Sequence, residues 1–181
     1  METNAKAFRT IDPTRPINDN CGWEHVITDL STFHDYADGP ELAETCKTLE
    51  GCLSPKSNRQ IFVTAAQCAH KPGAPVICTE FGGVNIAPSE EEKAKAKQND
   101  KDWGYTTAVD PADLLKRFEK LIMAVAEGGI CCGFVYTQLT DIEQEVNGLY
   151  TYDRRPKLKA EDVKGVIERA KWWFYELEMR I

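Results

Sequence analysis

The sequence predicts an α/β protein built from parallel βα units, and three observations carry that expectation. A helical pattern over Pro111–Glu127 runs directly into Ile130–Leu139, a continuous apolar run of strand length. The same order recurs upstream, where Pro40–Glu50 precedes the short apolar strand Pro75–Phe81. A long helical pattern then fills the end of the sequence, with Val163, Val166, Ile167, Ala170, Phe174 and Leu177 on one stripe. Strands alternating with helices imply parallel pairing through right-handed crossovers.

In chain order, Pro16–Cys21 and Val26–Thr32 are strand candidates. Leu42, Cys46 and Leu49 recur at helical spacing in Pro40–Glu50. The helix from Pro111 has its own punctuation: Asp110 can cap it, Pro111 suits the first turn and Gly128-Gly129 supplies the stop. Leu114, Phe118, Leu121, Ile122 and Val125 form its buried stripe. Ile130–Leu139 reads as a strand covered on both faces. About four strands and three helices result. Gly51–Gly73 and Gly82–Val109 break the rhythm; the second holds SEEEKAKAKQNDKD, whose mixed charge reads as a solvated face. No internal repeat is visible.

Composition narrows the function classes. With 181 residues, 42% of them apolar and 28% charged, the chain fits one soluble domain spanning residues 1–181. No stretch approaches the roughly 18 consecutive apolar residues a membrane helix needs. A net charge of −7 argues against nucleic acid and anionic membranes as partners, since affinity for phosphate backbones comes from lysine and arginine. The seven cysteines include no CxxC pair and several sit in apolar runs, the pattern of a reduced set rather than a disulfide framework. No apolar secretory segment is visible at the start, and with the odd cysteine count this favours a cytoplasmic location.

Ligands of parallel α/β folds bind beyond the carboxyl ends of the strands. Pro75–Phe81 ends in Thr79-Glu80-Phe81-Gly82-Gly83, placing an ionisable carboxyl at the end of an apolar strand beside a flexible turn. Glu80 is therefore a candidate catalytic carboxylate or, alternatively, a cap or surface acid. His34 and Tyr36 lie two residues apart, on one face of an extended chain, and can both donate hydrogen bonds into one mouth. The last strand runs into Tyr136-Thr137-Gln138-Leu139-Thr140-Asp141-Ile142-Glu143-Gln144-Glu145, a candidate hydroxyl-binding rim or, alternatively, the polarity of a solvated loop.

Rival chemistries lack their hallmarks. His25, His34 and Asp35 show no metal-ligand spacing. Cys78 reads as a small core residue, because a carboxylate on the same strand face would oppose thiolate formation. No GxGxxG, P-loop or GxSxG motif occurs.

Taken together, these strand ends resemble glycoside hydrolase family 2, the β-galactosidase and β-glucuronidase group, in the C-terminal half of its catalytic barrel. The matching stretches run in family order: Asp12-Pro13-Thr14-Arg15-Pro16, Gly22-Trp23-Glu24, His34-Asp35-Tyr36, Thr79-Glu80-Phe81-Gly82-Gly83, Trp103-Gly104-Tyr105, and Tyr136 to Asp141 through Asn147 to Lys157. The resemblance implies a partial (β/α)₈ TIM barrel, about strands five to eight with their helices. It implies a retaining hydrolysis of O-glycosidic bonds on a β-glycoside, with Glu80 as nucleophile and Tyr36 beside it. His34, Tyr136, Gln138 and Asp141 would line the sugar. It implies no redox cofactor and specifies no metal.

One part of the family pattern is missing. The family's general acid/base is a Glu preceded by Asn, upstream of the DPTRP stretch, and no Asn-Glu pair occurs in this chain. Retaining glycosidases need two carboxyl groups about 5–5.5 Å apart. The chain is therefore expected to hydrolyse weakly alone, to be an inactive remnant, or to complete a barrel with another chain through an exposed strand edge.

Overall fold

The computed structural model of the chain describes residues 2–22, 25–54, 70–87 and 105–178. Their elements are α1 (Glu2–Ile11), β1 (Ser31–His34), α2 (Gly39–Thr45), α3 (Leu49–Leu53), β2 (Val76–Gly82), β3 (Val84–Ile86), β4 (Thr106–Ala108), α4 (Pro111–Gly128), β5 (Cys131–Thr137) and α5 (Ala160–Glu178). β1, β2 and β5 form a three-stranded parallel sheet in that spatial order, and β3 pairs with β4 as a separate parallel ribbon. The architecture is α/β with parallel strands. No described helix is long and apolar enough to cross a membrane.

α4 organises the core. Asp110 accepts the Asp113 amide at 2.8 Å to start it, and Gly129 stops it in the left-handed region at φ 74°. Its stripe of Leu114, Phe118, Leu121, Ile122 and Val125 is buried against Phe33, Val76, Cys78 and Phe81 of the sheet, and Val166 and Ala170 of α5 join the same cluster. One face of the sheet is thereby closed by helix, and the strand ends are left to carry polar groups.

The structure departs from the sequence expectations in four places. Pro16–Cys21 forms no strand, because Asp19 folds the segment back by accepting the amides of Val26 at 2.6 Å and Ile27 at 2.8 Å. The strand expected over Val26–Thr32 begins only at Ser31. The single helix expected over Pro40–Glu50 is two: the chain leaves α2 at Cys46, and the Thr48 side chain starts α3 by accepting the Gly51 amide at 2.9 Å. Leu42 and Cys46 are buried as expected, whereas Leu49 is partly exposed.

β5 is also not covered on both faces. It stands at one end of the sheet order, its register slips beside Cys132, and Cys132 and Val135 are exposed. α1 and the β3–β4 ribbon had no clear sequence signal. Trp23, Glu24, Trp103, Gly104, Leu177, the charged run and most of Gly51–Gly73 fall outside the described residues or side chains.

Gly128 shows how closely α2 and α4 approach. A methyl group at that position would run into the backbone carbonyl of Cys46. Replacing an interior helical glycine by alanine ordinarily gains up to ~1 kcal/mol. Gly128→Ala should instead lower stability by ~1–3 kcal/mol, the cost of overpacking a closed core, measured by thermal or urea unfolding.

Candidate active site

The site begins with one extra residue in β2. Phe33 pairs with Cys78 and the next residue, His34, pairs with Glu80, so Thr79 has no counterpart in β1. The β2–β5 ladder shifts across the same step, between Cys78 and Phe81. Strand side chains alternate faces, so an unshifted strand would direct Glu80 the same way as Cys78, into the core. The bulge reverses that alternation, and the Thr79 hydroxyl secures it by donating to the Phe33 carbonyl at 3.3 Å. Cys78 remains fully buried, whereas Glu80 is turned to the side of His34. The expectation that Cys78 and Glu80 share a face is corrected accordingly.

Two side chains then meet one carboxyl oxygen. Tyr36 donates its hydroxyl to Glu80 Oε2 at 2.6 Å, and His34 Nδ1 lies 3.2 Å from the same oxygen. The Tyr36 proton being committed there, the Thr137 hydroxyl donates to Tyr36 at 3.5 Å. The Glu80 side chain is 41% exposed and that of His34 only 13%, so the carboxyl group can be reached from solvent while the imidazole is held beneath it. The Asp35 amide donates to the Glu80 carbonyl at 3.0 Å and fixes the end of β1 against β2.

Glycines make room for these rings. Gly22, at φ 68°, lies against the His34 imidazole, where any side chain would overlap the ring. Gly83, at φ 64°, faces Tyr105 in the same way. Tyr105 in turn stacks on Tyr36 with centroids 3.6 Å apart and planes 9° from parallel. The Gly22 amide donates to Thr32 Oγ1 at 2.9 Å, and Thr32 meets buried His25, which contacts Asp19 at 2.7 Å. His25 is thus a support for the loop under His34.

The electrostatics suit a neutral cradle. Burial holds the His34 imidazole below its ordinary pKa, and the Glu80 charge offsets only part of that shift. With Nδ1 facing Glu80 and Nε2 3.6 Å from Cys21 Sγ, the neutral ring that fits carries its proton on Nδ1 and accepts the thiol proton on Nε2. Burial, together with the hydrogen bond to Glu80, pushes the Tyr36 phenol far above its ordinary range, so it remains a proton donor at any working pH.

Three expected rim residues take other positions. Tyr136 turns to the helix side, edge-on to Phe81 at 5.6 Å and Phe118 at 4.9 Å, because it pairs with Phe81 across the ladder. Burial raises its phenol, partly offset by the Val84 amide. Thr137, the next residue, faces Tyr36 instead. Gln138 donates to the fully buried Asn147 at 2.7 Å. Asp141 accepts the Gly148 amide at 2.8 Å and Lys157 Nζ at 2.7 Å, which makes it a clamp for the loop after β5. Thr137 and Tyr105 lie in stretches quoted from the sequence but had no individual role there, and Cys21 had none at all. For Thr137 the signal was simple alternation, had the register been known.

The fold and site define a parallel α/β protein with a solvent-reachable carboxyl group cradled at the carboxyl end of a central strand. No protein-family model matches the sequence, and no curated protein matches it. Solved structures do match. A β-glucuronidase from an uncultured Clostridium sp. superposes with a TM-score of 0.52 and 19% identity over 94% of this chain. A β-glucuronidase from Faecalibacterium prausnitzii superposes with a TM-score of 0.51 and 14% identity, also over 94%. The chain spans 28% and 27% of those proteins.

The lowered His34 pKa has a stability consequence. Below the ordinary histidine value of about 6.5 the unfolded chain takes up a proton that the native ring resists, so stability falls as pH drops through that window. His34→Gln should flatten this part of the urea-stability profile between about pH 7 and 5 while leaving the loss at lower pH, where carboxylates titrate.

Proposed function

We propose that this chain is the nucleophile-bearing part of a retaining β-glycoside hydrolase like those of glycoside hydrolase family 2, with β1, β2 and β5 belonging to a partial (β/α)₈ barrel. The observation that carries the reading is the Tyr36–Glu80 hydrogen bond of 2.6 Å at the carboxyl end of a parallel strand. The likeness to part of two β-glucuronidases supports it.

In this reading Tyr36 and His34 occupy Oε2, which leaves Oε1 to attack. Oε1 bonds the anomeric carbon, the bond to the aglycone oxygen breaks, and its electron pair leaves with that oxygen. The aglycone oxygen takes a proton from a general acid, and water then opens the glycosyl ester to restore Glu80. The sequence offers no Asn-Glu pair for the acid, so that role falls to a carboxyl group from outside these residues. General acid assistance typically contributes roughly 10²–10⁴-fold, so substrates with poor leaving groups should react very slowly with the chain alone. The half-exposed ring of Tyr105, rather than Tyr136, is the aromatic surface beside Glu80 that a sugar can meet.

A second reading, in which another chain supplies the acid by pairing with an open strand, is favoured by β1 and β5 each standing at an end of the three-stranded sheet. It predicts turnover of ordinary glycosides only after the partner is added.

The test uses an activated 2-deoxy-2-fluoro-β-glucuronide, whose leaving group needs no acid. Mass should be added on Glu80 alone, and Glu80→Gln should not label. Absence of labelling on the folded wild-type chain, or labelling that survives Glu80→Gln, contradicts the proposal. A hydrogen bond to a charged group is worth ~1.5–3 kcal/mol, so Tyr36→Phe should slow labelling roughly 10- to 100-fold.

A further inference from the structure

Three thiols outside the candidate active site converge on one point. Cys46 follows α2, Cys52 lies within α3 and Cys131 opens β5, and their sulfur atoms all lie within 4.8 Å of one another. Cys46 and Cys52 are 0% exposed and Cys131 is 5% exposed. None of them forms a disulfide. Sulfur ligands bound at about 2.3 Å around one ion stand about 4 Å apart, so a contraction under about 1 Å would bring the three into ligating geometry.

The donor set and its burial narrow the ion. Thiolates select soft cations over magnesium or calcium, which prefer oxygen. Three thiolates leave one net negative charge around a divalent ion but two around a monovalent one, and a buried site favours the smaller charge. Hydrogen bonding with Cys131 pulls the Cys46 thiol down, but the hydrogen bond with Cys52, burial and the charges of Cys52 and Asp35 outweigh it and push it up to about 12.

We infer that Cys46, Cys52 and Cys131 form a buried site for one thiophilic divalent cation of the zinc and cadmium class. The ion ties α2, α3 and β5 together behind the sheet, at the point where the segment after β1 meets the strand that carries Thr137. Cadmium accepts three sulfur ligands; with zinc a fourth position falls to water. The inference does not depend on any role for Glu80.

The test titrates the reduced full chain with Cd²⁺, reading ultraviolet sulfur-to-cadmium charge transfer and the metal retained after desalting. A single tightly held Cd²⁺ is expected, with the absorption band retained in the Cys21→Ser/Cys132→Ser double variant and lost in Cys46→Ser and Cys131→Ser. No band, or a band lost in the double variant, overturns the inference. Should the buried serine variants fail to fold, alkylation of the wild-type chain in mild denaturant decides. Cd²⁺ should protect Cys46, Cys52 and Cys131 together, and equal alkylation with and without Cd²⁺ overturns the site.

Discussion

The single extra residue in β2 is the constraint on which the rest of the site depends. Thr79 has no partner in β1, so the chain gains half a pleat between Cys78 and Glu80. Cys78 can then stay in the core while Glu80 turns to His34 and Tyr36. The same slip sets the pairing of Phe81 with Tyr136, which sends the Tyr136 ring to the helix face and leaves Thr137 for Tyr36. A bulge beside a functional group is a common way to re-aim one side chain without rebuilding a strand.

Around that turn the protein spends its buried polar groups on holding loops. Burial alone would raise the Asp19 carboxyl, but the Val26 amide, His25 and the Ile27 amide hold it below the ordinary carboxylate range. Asp19 thereby fixes the loop that carries Gly22 and Cys21 to the His34 ring. On the other side, Asp141 and Lys157, with side chains 7% and 12% exposed, pin the loop after β5. The rings at the mouth are therefore positioned by two satisfied networks whose members do not themselves reach Glu80, an arrangement that holds side chains on loops in one geometry.

Much of this was legible in the sequence where the signal was local. α4 carried its cap, its stripe and its stop within its own residues, and β2 was marked by an apolar run ending in an acid and two glycines. His34 and Tyr36 followed from the two-residue period of an extended chain. What escaped depended on partners far along the chain. Nothing near Thr79 announces a bulge, because register is fixed by packing against β1 and β5. Asp141 looked like a rim residue until Lys157, sixteen positions on, was seen to hold it. The break between α2 and α3 had a local signal in Thr48, but the helical recurrence of Leu42, Cys46 and Leu49 masked it.

In the proposed reaction a bulged strand presents one oxygen of Glu80 to a sugar while its other oxygen is held from behind. The most direct measurement is a crystal structure of the chain trapped with a fluorinated glycosyl group. The account predicts a covalent bond from Glu80 Oε1 to the anomeric carbon, with Tyr36 still hydrogen-bonded to Oε2. A sugar bonded to any other residue, or a Glu80 side chain turned away from Tyr36 and His34, would contradict it.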